Sequence, residues 1–104
     1  MDDKAKIINI VKAFASAVNQ TYPLKQTVIF GSQVKGTALP YSDIDVCLVS
    51  EHFPEPVQAI RLKLEKVSKQ YDDRIEVHPM RPEDYNNRFY TFAREIKTHG
   101  IVVS

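Results

Sequence analysis

Asp43 and Asp45 stand two residues apart at the entrance to an apolar run, Val46-Cys47-Leu48-Val49, entered through the turn-like Pro40-Tyr41-Ser42. Side chains alternate along a strand, so the two carboxylates share one face, with Cα atoms roughly 7 Å apart, while Ile44, Val46 and Leu48 share the other. Carboxylates that close repel each other, and at the mouth of a core strand their charge is tolerable chiefly when a cation neutralises it. Oxygen ligands favour hard cations, and Mg²⁺ is commonly held by one or two carboxylates together with substrate phosphates. Upstream, Val28-Ile29-Phe30 is a short apolar run that stops at Gly31-Ser32. Glycine permits close approach of an anion to the backbone, and Ser32 adds a hydroxyl and an amide at the start of a helical turn, a place that suits phosphate oxygens.

These residues need particular elements to bring them together. Gly31-Ser32 closes a strand expected over 24–30, and Asp43, separated from Ser32 by ten residues, opens a strand expected over 43–49. If both ends serve one site, the two strands run antiparallel and the sheet is mixed. A third strand over 74–78 puts Glu76 opposite in phase to Ile75 and Val77, so Glu76 joins the site face if the register allows. His78 shares that phase and reads either as a contact to a phosphate or leaving group, or as a packed, hydrogen-bonded neighbour. Lys35, between the Gly-Ser turn and Gly36, is close enough to meet a phosphate, although a lysine in a short turn is ordinarily only solvated.

The combination Phe-Gly-Ser-x-x-x-Gly followed by Ser-Asp-Ile-Asp-Val resembles the signature of the nucleotidyltransferase superfamily related to DNA polymerase beta, and in a chain this short it is similar to the minimal nucleotidyltransferases of bacteria and archaea. The resemblance runs from about the first helix to the end of the chain. It implies that Gly31 and Ser32 hold the triphosphate, that Asp43 and Asp45 hold divalent metal, expected as two Mg²⁺ ions, and that a third acid from a later strand completes the site. Ile75-Glu76-Val77 matches that third place, where aspartate is the commoner residue. Val34 stands where many members carry alanine, at a position of packing rather than chemistry. The resemblance further implies ATP as a frequent nucleoside triphosphate donor, and a separately encoded helical partner of the HEPN type, the pair acting as toxin and antitoxin.

The fold class expected is α/β: a single small domain over 1–104 with a mixed sheet flanked by helices. Its 104 residues suffice for one modest core and not two. Ile7, Val11, Phe14 and Val18 make one stripe of a first helix that Asp2 or Asp3 can cap and Pro23 ends. Val57, Ile60, Leu64, Val67 and Tyr71 make the stripe of a helix over 56–71, whose other faces carry Arg61, Lys63, Glu65, Lys66 and Lys69 and read as solvated surface. Pro79, Pro82 and Asn86-Asn87 mark an irregular connection with a helical turn at 83–85. A last helix over 88–98 presents Phe89, Phe92, Ala93 and Ile96, and Gly100 stops it before Ile101-Val102-Val103. The aromatics of 85–92 read as a lid on the core in preference to an interface.

Composition narrows the function classes. A formal charge of +1, from 14 basic and 13 acidic residues, gives no bulk attraction for nucleic acid, so a polymer substrate is disfavoured. The lone cysteine, Cys47, lies in an apolar strand as a small core residue, and a reducing cytoplasm is the natural compartment. The acidic start is unlike a signal peptide, no apolar run is long enough to span a membrane, and His52 and His99 have no zinc spacing. The leading expectation is transfer of a nucleoside monophosphate to a hydroxyl with release of pyrophosphate. Two alternatives stand beside it: a non-catalytic binding module that neutralises a partner by contact, and modification of a small molecule.

Overall fold

The computed structural model describes residues 3–39 and 41–104, so the expected cap Asp2 and the turn residue Pro40 lie outside the described residues, as does the side chain of Asp3. Helix α1 (Asp3–Thr21) precedes strand β1 (Gln26–Phe30), and the short helix α2 (Ser32–Lys35) separates it from β2 (Ile44–Val49). Helix α3 (Gln58–Ser68), β3 (Ile75–Met80), α4 (Pro82–Tyr85), α5 (Thr91–His99) and β4 (Ile101–Val102) complete the order. Among the described residues the strands form one sheet, β3-β2-β1-β4. It is mixed, as the site argument requires: β1 pairs antiparallel with β2 and with β4, whereas β2 pairs parallel with β3.

Alternation along the strands divides the core in two. Ile29, Ile44, Val46, Leu48, Ile75 and Val77 pack under α1 and α3 against Val11, Phe14, Ile60 and Leu64. Val28, Cys47, Val49 and Met80 face the other way and are covered by Tyr85, Ala93 and Ile96 of α4 and α5. Fully burying a side chain of this size stabilises by about 1.5–3 kcal/mol, so both layers contribute to one cooperative core. Helices α4 and α5 cover only part of their face; the end carrying Asp45, Glu76 and His78 remains accessible.

Several boundaries differ from expectation, each for a local reason. Pro79 lies inside β3, not in a loop. β3 is an edge strand, and Pro79 has the parity of Val77, whose amide points away from β2, so no ladder bond is lost. That outer edge is closed by α3: Glu65 Oε1 accepts the Val77 amide at 2.5 Å, and Lys69 Nζ donates to the Ile75 carbonyl. The last helix starts at Thr91 because Asn87 competes for the preceding backbone: its Oδ1 accepts the Phe89 amide at 2.9 Å and its carbonyl the Tyr90 amide at 3.0 Å. As a result the lid reading of the aromatics holds for Tyr85 alone. Phe89 is 81% exposed, and Tyr90 and Phe92 are about 40% exposed.

Candidate active site

β1 ends at Gly31, whose φ of 80° and ψ of −150° belong to a region essentially restricted to glycine. The reversal starts α2, with the Val34 and Lys35 amides both donating to the Gly31 carbonyl at 3.1 Å, and Gly36 ends it in the left-handed conformation. Gly31 also lies against β2: a Cβ there would collide with Asp45 Oδ2. The glycine expected to admit a phosphate thus also leaves room for a site carboxylate. Ser32 opens α2 half-buried, and Lys35 ends it exposed.

Register does the rest. Asp45 pairs with Phe30 on one side and Glu76 on the other, so three neighbouring strands contribute to one face at one level. His78 follows two residues after Glu76 on the same face, and its Nε2 lies 3.2 Å from Asp45 Oδ1 and 3.7 Å from Glu76 Oε1. Asp45, Glu76 and His78 each offer a ligand atom within 4.8 Å of the others, a donor set of two carboxylates and an imidazole that fits a divalent cation in charge and number. Asp43 stands apart from that group. It precedes β2, its side chain is exposed, and its carbonyl accepts Gln33 Nε2 at 3.3 Å. The structure thus joins Asp45 to Glu76, and the third member is His78 in place of Asp43.

Four contributors had no clear signal in the sequence. Arg61, on the helix face read as solvated, reaches across to Glu76 Oε1 with its guanidinium at 3.3 Å. Gln33 bonds the carbonyls of both Ser42 and Asp43 and so ties α2 to the approach to β2. Phe30 and Phe92 meet the His78 ring edge-on, with centroids 5.1 and 5.7 Å away. Helical and strand periodicities place each of these on a face but cannot pair faces of separate elements. Beyond β3 a groove of about 230 Å³ opens between Gln58, Arg61, His78, Tyr90 and Phe92. A larger cavity of about 550 Å³, on the α1 side, is lined by aliphatic residues with a basic rim and contains none of the site acids.

Cys47 is fully buried directly beneath this surface, and burial pushes its thiol up to about 12. At neutral pH it is a protonated core residue, as expected from its strand.

A mixed sheet, a glycine-serine turn closing an antiparallel strand, and carboxylates aligned on the next two strands set a group of possible metal ligands beside that turn. The chain belongs to the nucleotidyltransferase domain family, whose model matches residues 11–100. Among solved structures it is similar to a candidate nucleotidyltransferase from Sulfolobus solfataricus, with 20% identity and a TM-score of 0.68 over 95% of this chain and 80% of that one. That likeness is one of fold. Comparison with curated proteins returns no match. No helix among the described residues is long and apolar enough to cross a membrane.

Proposed function

We propose that the protein transfers a nucleoside monophosphate, AMP from ATP, to an acceptor hydroxyl and releases pyrophosphate. The observation that carries this reading is the convergence of Asp45, Glu76 and His78 beside Gly31, at the open end of the sheet. Divalent metal at these carboxylates, expected as Mg²⁺, would neutralise the triphosphate and the charge that develops on the transferred phosphoryl group. Gly31 and Ser32 orient the β and γ phosphates, with Lys35 at the other end of the same turn. Asp43 and Asp45 flank the α-phosphate. The acceptor oxygen bonds to the α-phosphorus as the bond to the bridging oxygen breaks, and Glu76, 40% exposed and next to Arg61, receives the acceptor proton.

The acceptor is taken as a hydroxyl of a HEPN-type helical protein, in a toxin–antitoxin pair where the modification neutralises the partner. This part rests on the resemblance of the motif. The exposed Phe89, Tyr90 and Phe92 beside the groove support an acceptor presented by a protein surface.

The test is label transfer in lysate of the source organism, with ATP labelled on the α or the γ phosphate, for the wild type and Asp45→Asn. A product labelled only from the α position and only by the wild type establishes nucleotidyl transfer, and its mass names the acceptor. No transfer from any of the four triphosphates would leave the chain as a binding module.

A further inference from the structure

We propose that His78 is a metal ligand, and that its nitrogen makes this site favour a first-row transition ion such as Mn²⁺ over Mg²⁺. The inference rests on the metal-site reading above and departs from an all-carboxylate site. His78 is not placed as a solvated or purely packed residue. Its side chain is 18% exposed, Phe30 and Phe92 hold the ring from two sides at centroid distances of 5.1 and 5.7 Å, and the ring nitrogen Nε2 is turned onto both carboxylates. The two rings also contact each other at 5.6 Å, so the imidazole sits against a closed aromatic wall, and rotating it away from the acids would open that packing.

The separations are those of neighbouring ligands around one ion. Oxygen or nitrogen donors at about 2.0–2.2 Å from a divalent cation lie roughly 3 Å apart at adjacent positions. Nε2 is 3.2 Å from Asp45 Oδ1 and 3.7 Å from Glu76 Oε1, so a small inward movement of Glu76 completes a three-point site. Glu76 is the movable member, being 40% exposed and held by the exposed Arg61 guanidinium at 3.3 Å. As a ligand, Nε2 gives its lone pair to the cation and the ring proton resides on Nδ1. Imidazole is a borderline donor, which transition ions accept readily, whereas Mg²⁺ prefers oxygen and retains its water. Replacing one carboxylate by a neutral nitrogen also removes a negative charge, which weakens the purely electrostatic attraction that Mg²⁺ depends on. Both effects move preference in the same direction.

Mn²⁺ itself is the probe. Free Mn²⁺ is counted by its electron paramagnetic resonance signal during titration of the full chain, Mg²⁺ competition gives the preference ratio, and pulsed measurements on the bound ion detect coupling to imidazole ¹⁴N. Wild type is expected to show that coupling, and His78→Gln to lose it together with tenfold or more of the Mn²⁺ affinity. His78→Asp should shift the ratio towards Mg²⁺. The double substitution of the exposed His52 and His99, which leaves the site untouched, should retain the coupling, so the assignment stands even if changes at His78 impair folding. Bound Mn²⁺ without nitrogen coupling in the wild type overturns the proposal and leaves a carboxylate metal site standing. Coupling that disappears in the His52/His99 double variant, or an unchanged ratio in a folded His78→Asp, also overturns it. No Mn²⁺ binding at all overturns both this proposal and the metal-site reading.

Discussion

Gly31 and Asp45 occupy the same space in the sense that matters for substitution: the glycine at the end of β1 leaves the room that Asp45 Oδ2 uses, and a methyl group there would meet that oxygen. The phosphate turn and the carboxylate site are therefore one construction. Gly31→Ala should cost about 1–3 kcal/mol of stability from its backbone conformation alone. It should also weaken Mn²⁺ binding by displacing Asp45. Urea unfolding and metal titration of the same sample check both; a stable variant with unimpaired binding would mean that the turn relaxes independently of β2.

The two aspartates should separate. Asp45→Asn removes a carboxylate within reach of Glu76 and His78 and is expected to lower Mn²⁺ affinity at least about tenfold. Asp43 is exposed and outside that group, so Asp43→Asn should largely spare binding of the first ion while label transfer falls by about 100-fold or more. Loss of Mn²⁺ binding in Asp43→Asn would show that Asp43 turns inward when metal arrives.

Glu65 is a structural acid. It accepts the Val77 amide on the outer edge of β3 and pairs with Lys69 Nζ at 3.3 Å. Glu65→Ala leaves that amide unpaired and should destabilise by about 2 kcal/mol, whereas Glu65→Gln, which retains an acceptor, should cost less than half as much. Equal losses by urea denaturation would point to charge instead of the edge bond.

Asp72 gives the chain an acid dependence. Hydrogen bonds from the Arg74 guanidinium, aided by the Arg74 amide, hold its carboxyl below the usual range against the opposing effect of burial. A depressed folded pKa means stability that is fully present above the ordinary carboxylate value and lost as pH falls through the lower, folded value. Asp72→Asn should therefore lower stability at neutral pH and flatten its decline in acid. Melting curves across pH 2–7 check this, and parallel curves for both proteins would count against it.

Cys47, with its thiol pushed up to about 12, should resist thiol reagents in the native protein and react only as fast as the sheet opens. Rapid labelling without denaturant would place Cys47 at the surface.

Much of this site was legible in the chain. Alternation sufficed to put Glu76 and His78 in one phase and Asp45 opposite Ile44 and Val46, and glycine followed by serine was enough to predict a turn into a short helix. The requirement that Gly31 and the acids meet implied the antiparallel β1–β2 pair, which the structure contains. These are local properties, set by backbone geometry with a period of two or by the conformational freedom of one residue. What lay beyond reach was non-local. The parallel register that sets Asp45 against Glu76 is decided by how α3 packs β3 onto the sheet, and the same packing brings Arg61 to Glu76. Asp43 reads in sequence as the twin of Asp45, yet the strand begins one residue after it and only Asp45 is drawn into the cluster. His78 acquires its direction from Phe30 and Phe92, separated from it by long stretches of chain. Periodicity tells each side chain which face it occupies; only the packing of distant elements decides which faces meet.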